Sequence, residues 1–197
     1  MHMTSESVLD AATSERRDAA APSAFAMFSG NLDQEGLSRI FHLVSKLSND
    51  GVRDVHLLLQ SAGGVVGNGV CLYNWFRALP LRLNIYNSGS VRSSAVLAYL
   101  GAAHRRASPH ATFTLHPCNM SPRAASAGML TALARSVWTE AEGHERILRE
   151  HLDLTIEEWR AAQETELTLS ADRAAAVGLV HELIEFTPPA GARLHAI

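Results

Sequence analysis

The feature that most limits how this chain can fold is a repeated switch of hydrophobic period. Short apolar runs of strand length alternate with segments whose apolar residues recur at helical spacing, almost from end to end. Residues 24–29 (AFAMFS), 55–59 (VHLLL), 81–86 and 112–116 (TFTLH) read as strands. The second is a continuous apolar run, the pattern of a parallel strand buried on both faces. Between the first two, Asn31 and Gln34 have capping-box spacing, which predicts a helix over 32–48 with Ile40, Leu43, Val44 and Leu47 as its buried stripe. Helices are also predicted after Gly64, limited by Pro80, and over 93–102. Ser121-Pro122 predicts the start of a long helix reaching His151, with Glu142–Arg146 and Glu145–Arg149 as favourable pairs. Thr155 and Glu158 form a second capping box; a strand at 166–169, a helix from Ala171 and a strand at 180–184 follow. Such βαβα alternation is the mark of an α/β fold with a mostly parallel sheet.

No linker or internal repeat divides the chain, so one domain is expected over 24–186, with tails at 1–23 and 187–197. Hydrophobic residues make up 47% of the sequence, too many for a disordered chain. A net charge of −3 gives no basis for non-specific nucleic-acid binding, and no run is long and apolar enough to span a membrane. The first 23 residues lack the apolar centre of a secretory signal. Two cysteines, Cys71 and Cys118, make neither a disulfide framework nor a four-ligand zinc site and suit a reducing compartment. A cytoplasmic protein without metal or organic cofactor is the expectation.

Three strand-to-helix junctions carry residues suited to chemistry, and in α/β sheets sites form outside the carboxyl ends of strands. At Gln60-Ser61-Ala62-Gly63-Gly64-Val65-Val66, adjacent glycines permit unusual torsions and leave N–H groups free for an oxyanion or a substrate backbone; an ordinary tight turn has the same composition. At Asn87-Ser88-Gly89-Ser90-Val91-Arg92-Ser93-Ser94, a serine at the helix start either caps the helix or acts as a nucleophile beside its free N–H groups. Ser88, Ser90, Ser93 and Ser94 are not separated by this argument. His116 ends an apolar strand, and an imidazole titrating near neutrality is a usable general base. It is one of ten histidines; His104 and His110 fall in a polar connection. The sole lysine, Lys46, lies on the first predicted helix, away from these junctions, which excludes a Ser–Lys dyad.

Together these segments resemble the ClpP-like family, the proteolytic subunits of the ATP-dependent Clp protease, over residues 24–186. Gln60–Val66 with Gly69 and Tyr73 is similar to the family's N-S-P-G-G-x-V…G…Y segment, and Gly89-Ser90-Val91-Arg92-Ser93 to its G-x-A-A-S nucleophile motif. The strand ending at His116 resembles the one that carries the family's histidine. Leu169-Ser170-Ala171 with Gly178-Leu179-Val180 resembles the terminal L-S-A…G-L-V pattern. The resemblance implies repeated β-β-α units with a protruding handle helix after Ser121. It also implies a serine endopeptidase acting on short or unfolded peptides inside a homo-oligomeric chamber of heptameric rings, single or stacked as a tetradecamer.

By that resemblance Ser93 is the nucleophile, His116 the base, and Gly63, Gly64 and Ser94 line the oxyanion and substrate-binding site. The family places aspartate four residues before the serine of L-S-A, where this chain has Glu166; Asp172, Asp153 and Glu164 are the other acids nearby. Ala62, Gln60 and Arg92 also depart from the motifs, and residues 1–23 show no recognisable axial-loop segment for docking an AAA+ unfoldase. Two alternatives stand beside this reading, the first of them motivated by these departures. One is a non-catalytic subunit of a mixed ring. The other is a crotonase-like acyl-CoA enzyme of the same broad fold, for which the chain is short. Met129, Leu133, Val137 and Trp138 on the long helix suit either an interface or a core.

Overall fold

A computed structural model describes residues 22–120, 124 and 126–197. In chain order its elements are β1 (Ser23–Ser29), α1 (Gln34–Asn49), β2 (Asp54–Gln60), α2 (Val66–Ala78), β3 (Arg82–Asn87), β4 (Ser90–Arg92), α3 (Ser94–Leu100), β5 (His104–Ala107), β6 (Thr112–Leu115), α4 (Ala127–His151), α5 (Ile156–Glu164), β7 (Leu167–Ser170), α6 (Ala171–Ala176), β8 (Glu182–Leu183) and β9 (Leu194–Ala196). The main sheet has the order β8-β5-β3-β2-β1-β9 and every pair in it is parallel. A second sheet, β4-β6-β7, is parallel between β4 and β6 and antiparallel between β6 and β7. The α/β reading of the sequence therefore holds.

Apolar side chains explain most of this. Ala24, Ala26 and Phe28 of β1 and Val55, Leu57 and Leu59 of β2 point to the core, where the α1 stripe (Ile40, Leu43, Val44, Leu47) and the fully buried α3 meet them. Strand β2 is not buried on both faces, as its continuous apolar run predicts: His56 and Leu58 are only half-buried. Their face is covered by rings instead of a helix. Phe25 stacks on His56 at 4.8 Å, and Phe186 leans on Tyr86 at 5.1 Å.

Three further expectations are corrected. The first helix is capped by Asp33, whose Oδ1 accepts from the Gly36 N–H at 2.9 Å, rather than by Asn31. The polar stretch containing His104 is not a connection but strand β5. Its Arg105 is 8% exposed and donates to the carbonyls of Leu179 (2.8 Å) and Gly178 (3.0 Å). Arg106 reaches the Tyr86 hydroxyl at 2.8 Å and Glu182 at 3.0 Å. Buried guanidinium groups are tolerated when carbonyl and carboxylate partners replace water. Finally, residues 194–196, within the segment expected as a tail, form β9 against β1. Residues 1–21, 121–123 and 125, including the predicted Ser121 cap, lie outside the described residues.

The long helix α4 is capped by Ser126, whose Oγ accepts from Met129 N–H at 3.3 Å. Among its residues only His144, Ile147 and Leu148 are buried, so most of it stands clear of the domain. Met129 (54% exposed) and Trp138 (70%) are not core in this chain. Of the two predicted ion pairs, Glu145–Arg149 forms at 2.6 Å, and the Thr155–Glu158 capping box is present. No helix among the described residues is long and apolar enough to cross a membrane.

Candidate active site

The second sheet draws the three sequence junctions together. At the end of β2, Ser61 N–H donates to Ser90 O (3.2 Å) and Arg92 N–H to Ser61 O (3.0 Å), which locks the glycine turn against β4. Arg92 pairs with Thr114 in the parallel β4–β6 register, and Ser93 N–H donates to Thr114 O at 2.8 Å. Ser93 and His116 therefore leave the ends of neighbouring strands. On the other side of β6, Leu167 pairs with Leu115, which brings Glu166 to the same end.

Ser93 has φ 54° and ψ −134°, the one positive φ at a non-glycine residue among the described residues. It occupies the N-cap position of α3, yet its hydroxyl makes no capping hydrogen bond. The capping role open to it on sequence grounds is not used. Gly63, at φ +92°, lies directly against it: a Cβ there would sit 2.6 Å from Ser93 Cβ and 2.8 Å from Arg92 O. Gly64 is held by Leu32, which it would strike at 2.6 Å if it carried a side chain. The N–H groups of Gly64 and Ser94 find no acceptor among the described residues, while Gly63 N–H donates to Ser61 Oγ at 3.1 Å. Two free backbone donors beside a strained serine are a ready receptor for a carbonyl oxygen that gains charge.

His116 is half-buried, and its Nδ1 donates to Pro117 O at 2.8 Å. With the proton held there, the neutral ring keeps its Nε2 lone pair, the form a general base requires. Glu166 is not joined to it. The carboxylate instead takes an ion pair from Arg92 Nη2 at 3.1 Å, both side chains being about half exposed. Arg92, His116 and Glu166 line one cavity of about 690 Å³, with Ala62, Pro117, Asn119 and Thr165. Ala62 and Asn119 also border a second cavity of about 540 Å³ along Gly63–Val66, with Asp33 and Glu140 on its wall. The two form one groove past the glycine turn. Asp172 lies in the first turn of α6, and neither it, Asp153 nor Glu164 lines the groove. Among the described residues no three His, Cys, Asp or Glu side chains are placed to hold a metal ion.

Behind His116 is a pair that sequence reasoning missed, because its members lie on separate elements. Cys118 Sγ is 3.6 Å from Nδ1 of His144, which is 7% exposed and has an unpartnered Nε2. Burial, with the nearby His116, pushes the His144 imidazole down to about 4 from the ordinary 6.5. As pH falls through that window the unfolded chain takes up a proton that the folded one refuses, so stability is full above 6.5 and declines toward 4. The loss amounts to roughly 3 kcal/mol. Urea unfolding at both ends of the window, for the parent and for His144→Leu, checks this: the variant should show a pH dependence smaller by about that amount.

Comparisons with known proteins agree in one direction. A family model described as Clp protease matches residues 16–187. The chain is 27% identical over 145 residues to ATP-dependent Clp protease proteolytic subunit 2 of Pseudomonas aeruginosa, covering 73% of this chain and 70% of that protein. It is 28% identical over 138 residues to the ATP-dependent Clp protease proteolytic subunit of Dehalococcoides mccartyi, covering 69% and 68%. Among solved structures, a point mutant of ClpP1 from Listeria monocytogenes superposes with a TM-score of 0.70 at 20% identity, over 82% of this chain and 91% of that one.

Proposed function

Since this chain belongs to the Clp protease family, we propose that it is a serine endopeptidase in which Ser93 is the nucleophile and His116 its base. The observation that carries this reading is the strained backbone of Ser93, held between Gly63 and the end of β6 with its hydroxyl unspent. Strain of this kind persists only where surrounding structure over-determines it. Ser93 Oγ attacks the peptide carbonyl carbon while His116 Nε2 takes the hydroxyl proton. The carbonyl oxygen gains the charge and lies against the N–H groups of Gly64 and Ser94. Collapse breaks the C–N bond, His116 returns the proton to the leaving amine, and water then hydrolyses the acyl-serine by the same steps. Glu166 supports the imidazolium once it leaves Arg92. The exposed face of α4, with Met129 and Trp138, is the surface through which subunits assemble into a chamber.

A second reading, a non-catalytic subunit of a mixed ring, is favoured by one observation. His116 Nδ1 is engaged by Pro117 and Glu166 by Arg92, so the triad is not joined. A fluorophosphonate probe separates the two. With native size recorded on the same sample, the expected result is a single adduct mapped to Ser93 and hydrolysis of a fluorogenic peptide. An assembled sample that neither labels nor turns over would favour the non-catalytic subunit.

A further inference from the structure

Arg92 is the residue whose position the mechanism above leaves unexplained. It directly precedes Ser93, is exposed, and projects into the cavity that His116 and Glu166 line. Its partner Glu166 is half exposed as well, and such solvated ion pairs are weak and exchange readily. A guanidinium presents several donors in a fixed fork suited to a carboxylate. The groove is also uneven in charge along its length: the Arg92–Glu166 ion pair stands at the His116 end, and Asp33 and Glu140, neither of them paired with a cation among the described residues, stand at the glycine end. The chain as a whole carries a net charge of −3, so no general field attracts acidic ligands.

We propose that Arg92 is the specificity-determining residue of this site, receiving a carboxylate of an acidic peptide in place of Glu166. The exchange frees Glu166 within the cavity it shares with His116. An acidic substrate then binds and releases the Glu166 carboxylate toward His116 in one event, whereas a neutral peptide leaves Glu166 on Arg92. The preference belongs to one side of the scissile bond, because an acidic residue on the other side faces Asp33 and Glu140. This inference deepens the peptidase reading and rests on it for the identity of the ligand.

The test measures binding apart from chemistry. Fluorescein-labelled hexapeptides that differ only in a Glu, Gln or Lys on one or the other side of the central bond are titrated by anisotropy into assembled Ser93→Ala protein. Glu on one side should tighten binding over Gln by about threefold, less than the roughly tenfold of one charge-assisted hydrogen bond because Glu166 must first be displaced. High salt should shrink the gain. In the same background Arg92→Gln should erase it, Arg92→Lys should keep part of it, and Arg92→Glu should transfer the preference to the Lys peptide. Glu166→Gln should tighten the acidic peptide further, since it removes the competitor; a merely structural role for the pair predicts no such gain. Equal gains from Glu on both sides, a preference that survives Arg92→Gln, or no binding by any peptide would overturn the proposal. If Ser93 resists the fluorophosphonate while the charge preference still follows Arg92, the peptidase reading fails and the carboxylate site stands. If Ser93 labels and the preference is absent, only the carboxylate site is lost.

Discussion

Replacing Ser93 by glycine should abolish hydrolysis and yet raise the melting temperature. Ser93 holds φ 54° and ψ −134°, a region that a side chain makes costly by about 1–3 kcal/mol. Glycine removes the Cβ that causes the clash, and it gives back about 0.5–1 kcal/mol through the greater freedom of the unfolded chain. At the middle of these ranges the net gain is about 1 kcal/mol, which corresponds to about 2–4 °C for a domain of this size. Ser93→Ala is the informative partner: it loses the hydroxyl but keeps the Cβ, so it should lose activity with no gain in stability. For both variants kcat should fall by about 10⁴-fold or more, as loss of a covalent nucleophile does in serine peptidases. Thermal unfolding of the three proteins, beside fluorogenic peptide assays, checks both halves. If Ser93→Gly melts with Ser93→Ala, the strain is not stored at this residue.

Gly63→Val should be strongly damaging to the groove. The added Cβ would lie 2.6 Å from Ser93 Cβ and 2.8 Å from Arg92 O, at a φ of +92° that valine strongly resists. Neither neighbour is the free end of a flexible side chain, so relief requires moving the backbone that carries Ser93. Positive φ and overpacking together should cost about 3 kcal/mol or more. Gly63→Ala meets the same atoms with less bulk and keeps the prediction readable if the valine protein does not fold. In its folded fraction, fluorophosphonate labelling at Ser93 should slow by about 100-fold, the scale of an ångström's misplacement. Labelling at the parental rate would show that the junction yields without moving Ser93.

The elements that were legible in the sequence are those whose apolar period is set by the core. Val55, Leu57 and Leu59 alternate inward, and Ile40, Leu43, Val44 and Leu47 share one helical face, because burial acts on each residue's own side chain. Strand β5 was hidden because its polar residues are stabilised by the carbonyls of Gly178 and Leu179 and by Glu182, which no local pattern announces. Strand β4 was hidden because three residues rich in serine and arginine become a strand only against Ser61 and Thr114. At the groove the resemblance to the family's L-S-A pattern points to Glu166, and the fold does bring it into the cavity that His116 lines. Where its carboxylate turns depends on Arg92, far away in the chain, and the proton on His116 is directed by the carbonyl of the very next residue.

Strand β9 bears on how this protein is handled. Leu194–Ala196 pair with Phe25–Met27, and the Ile197 N–H donates to Met27 O at 2.9 Å, so the last residues shield the middle of β1. Without them, a strand of the main sheet presents unmatched N–H and C=O groups in a row, the kind of border along which copies of a protein adhere. A purification handle fused after Ile197 would pull on that seal.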